Sequence, residues 1–144
     1  MHEGRIKHLE FIQSAISRIA ANSFLLKGWS VTLAAALVAL AAKDADLRFA
    51  VIALFPALIF WGLDAYYLRL ERLFRALYDD VRRLPEQELI EKLGPFSLSI
   101  DEYRDSDRVD SWGKTLSADA VMWVHGIVVV TVGALILSFF IHNR

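Results

Sequence analysis

The sequence predicts an all-α integral membrane protein: an N-terminal amphipathic helix, three transmembrane helices, and a long second helix that extends into the cytosol. Three observations lead there. Hydrophobic residues make up 56% of the 144-residue chain, above the roughly 45–50% of soluble domains, and they collect into three runs instead of spreading as a core pattern. Each run is about 20 residues, which at about 1.5 Å per residue matches a hydrocarbon core of about 30 Å. Beyond the second run an apolar repeat continues at alternating spacings of four and three, the signature of a packed helix.

Residues 5–23 come first. Ile6, Leu9, Ile12, Ile16 and Ile19 recur at spacings of three and four, while Lys7, Glu10, Ser14, Ser17 and Arg18 occupy other faces. This amphipathic helix (domain 1–23) either lies in the membrane interface or packs on other helices. The first two spans (24–68) follow as a hairpin. Phe24–Ala42 is broken only by Lys27, and Phe49–Leu68 only by Asp64. Ala39-Leu40-Ala41 resembles a signal-peptidase site, but the stretch before it is too long and is patterned as a helix, so the span is expected to be retained.

The second helix continues past the bilayer into a cytosolic extension and loop (69–119). Leu63, Tyr67, Leu70, Phe74, Leu77, Val81 and Leu84 form an a/d seam. Glu71 with Arg75, and Asp79 with Arg83, stand in the favourable i,i+4 order. Pro85 ends this helix and opens Glu86–Leu93, which Gly94-Pro95 closes. The seam needs a partner, either copies of the same chain or the N-terminal helix of the same protomer. Residues 95–118 read as an acidic loop, with Ser117 placed to N-cap the third span (120–144), Ala120–Ile141, which is interrupted by His125.

Basic residues set the expected orientation. Nine Lys/Arg lie from Arg69 to Lys114, and Arg5, Lys7, Arg18 and Lys27 lie toward the N-terminus. The short connection between the first two spans has Lys43 and Arg48, and Arg144 alone follows the third span. The positive-inside rule then puts the N-terminus and residues 69–118 inside and the C-terminus outside. A net charge of −1 gives no reason to expect direct DNA binding.

No catalytic constellation is visible. The histidines His2, His8, His125 and His142 form no H-E-x-x-H, and phosphate-loop, nucleophile-elbow and dinucleotide motifs are missing. With no cysteine, thiolate chemistry is excluded. Neither a metal, a cofactor nor an enzymatic activity is expected.

Attention therefore falls on polar and aromatic groups within the spans. Asp64 would cost about 2.5–3.5 kcal/mol if charged and alone at a helix centre, so water, Lys27 or Arg69 is expected to satisfy it. His125 suits a helix–helix hydrogen bond. Trp29, Tyr66, Tyr67 and Trp123 fit an interfacial aromatic belt. Phe60 and Trp61 are adjacent and point about 100° apart, so one of them is expected to face protein or a central axis. Pro56 frees the carbonyl of Ile52 and is a candidate hinge. Gly28, Ala35, Ala39 and Ala42, and Gly126 with Gly133, suggest small-residue packing faces.

The ordered segments His8-Leu9-Glu10-Phe11-Ile12-Gln13, Asn22-Ser23-Phe24, Lys27-Gly28-Trp29, Ala39-Leu40-Ala41-Ala42, Phe60-Trp61-Gly62-Leu63-Asp64-Ala65-Tyr66-Tyr67-Leu68 and Glu71-Arg72-Leu73-Phe74-Arg75-Ala76-Leu77-Tyr78-Asp79 resemble a group of small bacterial membrane proteins. The likeness covers most of residues 8–83 and extends to the third span only in hydropathy. The chain also resembles the membrane effectors of Hailong-type anti-phage systems, the HalA family. That resemblance implies a homo-oligomeric channel of the bacterial inner membrane, with four copies the best guess, closed at rest and opened by a nucleotide-type signal or partner enzyme to depolarise the cell. Phe60, Trp61, Asp64 and His125 are then the candidate gate and pore residues, chosen by their place in the spans and not by a match to the family's pore. The other reading is a non-conducting membrane anchor or sensor that docks a partner through its cytosolic helix.

Overall fold

The computed structural model describes residues 2–44 and 46–142, so Arg144, one basis of the expected orientation, lies outside the described residues. Among these residues every regular element is helical. They are α1 (His2–Asp44), α2 (Leu47–Arg83), α3 (Glu86–Leu93), α4 (Asp101–Arg104), α5 (Trp112–Leu116) and α6 (Asp119–His142). Helices α1, α2 and α6 are each long and apolar enough to cross a membrane.

The amphipathic segment and the first span are one unbroken helix of 43 residues, because no proline and no strained turn separates them. At about 1.5 Å per residue it is about 65 Å long, roughly twice a hydrocarbon core. Helix α2, of 37 residues, runs through Pro56 and is N-capped by Asp46, whose carboxylate accepts from the Arg48 amide. The two helices are antiparallel: Arg5 bonds to the Leu84 carbonyl at one end, and Ser23 meets Asp64 farther along.

Their interface changes character along its length. In the outer half, Ile12 and Ile16 of α1 pack with Leu73, Leu77 and Val81 of α2. Tyr103, Ile100, Val109 and Leu89 close this core from the segment after α2. In the apolar half, small residues take over. Ala50, Ala53 and Ala57 are buried on α2, and Ser30, Ala34 and Ala41 on α1, a composition that lets the two backbones approach closely. The small-residue stripe expected on the first span is therefore corrected. Gly28, Ala35, Ala39 and Ala42 face outward, and the buried stripe continues the register of Ile12, Ile16 and Ile19 through Ser23.

Most of the a/d seam is filled within the protomer. Leu77 and Val81 are fully buried, and Leu70, Phe74 and Leu84 pack at the margin of the same core. Tyr67 is half-buried, and Leu63, nearest the apolar half, stays 40% exposed. The Glu71–Arg75 ion pair forms, but Asp79 pairs with Arg82 at i,i+3 instead of Arg83.

Leu84 closes α2 with its N–H on the Asp80 carbonyl, and Pro85 leads into α3. Gly94 then ends α3 at φ 77°, a left-handed conformation that glycine adopts without strain. The expected loop contains two short helices. Ser111 caps α5 by accepting from the Lys114 amide. Ser117 is not the cap of α6; its hydroxyl donates to the Lys114 carbonyl and closes α5. The first amides of α6 bond to the Ala118 carbonyl.

Leu77→Ala removes a fully buried side chain from the outer core, so it should destabilise the folded chain by about 2–5 kcal/mol. Unfolding in detergent, followed by circular dichroism, reads the loss. Leu63→Ala should stay within about 0.5 kcal/mol in the isolated protomer.

Candidate functional site

Where the three long helices meet, five polar side chains converge. Ser23, Lys27 and Ser30 stand at spacings of four and three on one face of α1, Asp64 faces them from α2, and His125 enters from α6. Oxygen Oδ1 of Asp64 accepts from the Ser23 hydroxyl and from Lys27 Nζ at 2.6 Å. Lys27 also donates to Ser23 Oγ at 2.9 Å. His125 Nε2 lies 3.2 Å from Oδ2, and its Nδ1 lies 3.3 Å from Ser30 Oγ. An ionised carboxylate only accepts, so Nε2 is the nitrogen that donates toward Asp64, and Nδ1 faces the Ser30 hydroxyl.

Asp64 and His125 are fully buried, whereas 24% of the Lys27 side chain remains accessible. The Lys27–Asp64 pair cancels in charge, and among the described residues no buried side-chain nitrogen or oxygen lacks a partner. Of the two cations expected as partners for Asp64, Lys27 takes the role. Arg69 instead donates to the carbonyls of Asp110 and Arg104. The cluster thus ties all three long helices through one carboxylate, and removing a partner exposes a buried charge.

The aromatic candidates differ in their ties. Phe60 is half-buried, while Trp61, also half-buried, donates its indole N–H to the Leu116 carbonyl at 2.9 Å. On the neighbouring turn, Trp112 donates to the Gly62 carbonyl at 3.1 Å, and a Cβ on Gly62 would lie 3.5 Å from that ring. Trp29, Tyr66 and Trp123 are exposed, as residues in an aromatic belt would be. Pro56 sits two turns before Asp64, next to buried Ala57.

A second polar hub lies on the outer part of α2. Asp80 accepts from Lys92 Nζ at 2.9 Å, Tyr103 Oη at 2.8 Å and Arg108 Nη1 at 2.8 Å. Lys92 and Arg108 also approach the Tyr103 ring, at 5.4 and 5.6 Å from its centroid. Burial alone would raise the Asp80 carboxyl, but the bonds from Lys92, Arg108 and Tyr103 outweigh it and hold the group below the usual carboxylate range. Burial, and then the bond to Asp80, push the Tyr103 phenol up. Sequence reasoning missed this hub, although Asp80 falls between Leu77 and Val81 on the packed face. It also missed Ser23, and it offered Ser30 only with Thr32, His125, Thr131 and Ser138 as scattered polar groups for an axis, not as a partner of His125; both serines continue the α1 stripe.

His8 is buried and bonds through Nε2 to the Ser97 carbonyl at 2.7 Å. Among the described residues no group of three or more His, Asp or Glu is placed to hold a metal ion. No family model matches the chain, and no curated protein or solved structure does either.

Two predictions follow the charges. Asp64→Ala, which strands Lys27, should cost about 3–5 kcal/mol, whereas Lys27→Met with Asp64→Leu should recover most of it. Thermal unfolding of the single and double variants measures the difference. For Asp80 the folded carboxyl is lowered, so its contribution is present above its unfolded value of about 3.9 and is lost as pH falls below it. The protection against hydrogen exchange across residues 85–110, referred to the intrinsic rate at each pH, should therefore fall as the pH is taken below about 3.9, and Asp80→Asn should flatten that dependence.

Proposed function

We propose that this chain is a subunit of a homo-oligomeric channel of the bacterial inner membrane, closed at rest and opened by a cognate signal to depolarise the cell in anti-phage defence. The observation that carries this reading is the sealed Lys27–Asp64–His125 cluster. An anchor needs apolar length and nothing more, whereas a buried ionisable set within spans is costly and marks an ion pathway or a switch. In the resting state the carboxylate is neutralised and dry. If α6 parts from α1 and α2, Asp64 gains access to water and becomes an attractive site for cations. Phe60, half-buried and without a hydrogen-bonding atom, is the preferred apolar plug. Trp61, tied to Leu116, is the second choice, and Pro56 is the hinge.

The N-terminus and residues 69–118 lie in the cytoplasm in this reading, and the C-terminus lies outside, following the basic residues. The family resemblance supports a defence role, a tetramer, and a nucleotide ligand or partner enzyme as the source of the signal. The lipid bilayer, and neighbouring copies near exposed Leu63, would cover the outward faces.

One observation favours the anchor instead. The Ser and Thr hydroxyls on exposed positions of the spans belong to Thr32, Thr131 and Ser138, and the last two bond to their own helix backbone. Such faces offer little to line an aqueous pore.

Planar bilayers with the purified protein decide between them. Wild type should be silent until its cognate signal is supplied, and Phe60→Ala should conduct without it. Native mass in detergent should exceed one copy and fall with Leu63→Asp. A wild type that never conducts when its system is triggered, together with a silent Phe60→Ala and Trp61→Ala at equal abundance, leaves the anchor.

A further inference from the structure

The segment between α4 and α6 does not wander from α2; it runs back along it. Arg108 bonds to Asp80, Asp110 to Arg72 and Arg69, Trp112 to the Gly62 carbonyl, and the Leu116 carbonyl to Trp61. In that order the contacts descend α2 from Asp80 past the level of Asp64 to Trp61, a separation of 19 positions, or about 28 Å. Thr115 is fully buried along this path. Helix α6 then begins at Asp119 and brings His125 to Asp64 within its first two turns.

We propose that residues 105–118 are a strap through which the Asp80 hub controls the His125–Asp64 contact. The inference rests on reading that contact as the latch of the closed state, and it supplies the regulation of the same site. The two ends differ in strength. The strap is clasped at Asp80 by the 2.8 Å bond from Arg108, beside the bonds of 2.8–2.9 Å that Tyr103 and Lys92, just before the strap, make to the same carboxylate. The His125–Asp64 contact spans 3.2 Å, and the His125–Ser30 contact 3.3 Å, near the outer limit for N–H···O and O–H···N bonds. The latch is also the contact that a movement at the start of α6 meets directly, since His125 lies within the first two turns of that helix.

Helix α6 packs on α2 and α1 mainly through half-buried residues. Its buried side chains, besides His125, are Val121 and Val132. Apolar residues surround the rest of the helix, so burial alone does not select one rotation of it. Advancing α6 by one residue turns it about 100° and carries His125 away from Asp64. The strap, stapled to α2 at Trp61 and Gly62 only a few residues before α6, prevents that movement. A signal that frees Arg108 from Asp80 loosens the upper part of the strap and leaves the Asp110, Trp112 and Leu116 contacts as the remaining restraint on α6.

The full chain in micelles tests this with two readouts, amide exchange across 105–118 and the ring 15N resonances of His125, assigned with His125→Gln. Asp80→Asn should speed exchange in the strap at least tenfold and move the His125 ring from one tautomer toward averaged signals. Tyr103→Phe removes a single hydroxyl and keeps the fold if Asp80→Asn does not, and it should produce a smaller change of the same kind. Arg82→Gln, whose arginine pairs with Asp79 on the same turn of α2, should produce neither. Faster exchange in the strap with an unchanged His125 overturns the coupling. Unchanged exchange in both variants overturns Asp80 as the clasp. If His125 responds and no variant conducts, the coupling holds and the channel reading fails by itself.

Discussion

The Asp64 carboxylate is shut away from solvent among three helices, and its charge must be answered from each side. That requirement fixes the level at which the helices meet. Helix α1 has to present Lys27 and Ser23 there, one turn apart, and α6 has to arrive with His125 at the same height. The surrounding contacts are poor at setting register, because Ala50, Ala53 and Ala57 on α2 offer nearly the same surface at successive turns. A single polar group within such a smooth interface specifies one alignment at some expense in stability, as polar residues do in other helix assemblies.

Beyond that level the cohesion changes its physical origin. The outer halves of α1 and α2 are held by Ile12, Ile16, Leu73, Leu77 and Val81, large side chains whose burial is driven by release from water. The apolar halves meet instead through small side chains such as Ala50, Ala53 and Ala57, which let the backbones approach. One long pair of helices thus carries two kinds of interface. The polar cluster stands near their junction, where Lys27 keeps its tip partly accessible and Asp64 does not.

The segment after α2 is where most side-chain polar bonds to α2 are made. Arg69, Arg72 and Asp80 on one helix, and Tyr103, Arg108 and Asp110 opposite, align a stretch with little regular structure of its own. Because α6 is joined directly to the end of that stretch, its placement is inherited from α2 twice, once through the backbone-directed tryptophans and once through His125. The aromatic pair Phe60 and Trp61 acquires unequal roles in the same way. Trp61 is a structural tie, whereas Phe60 has no polar atom to be held by.

What the sequence determined by itself was mostly local, although the Asp79–Arg83 pair and the Ser117 cap, equally local, came out otherwise. Three long apolar helices follow from run length, the end of α2 from Pro85, the end of α3 from Gly94, and the Glu71–Arg75 pair from i,i+4 spacing, since each depends on residues within a turn or two. The face of each helix was legible only where apolar and polar residues alternate clearly, as for Ile12, Ile16 and Ile19. Within the spans that contrast disappears. Gly28, Ala35, Ala39 and Ala42 made as plausible a stripe as the buried set, and Ser23 and Ser30 did not announce that they point inward. Tertiary structure alone decided that Lys27 and not Arg69 answers Asp64, that His125 completes the cluster, that Ser117 closes α5, and that Asp80 gathers Lys92, Tyr103 and Arg108. Each of these depends on how far a helix is rotated and how a connecting segment returns. Rotation of an evenly apolar helix is set by a few distant polar contacts, not by the composition of the helix itself.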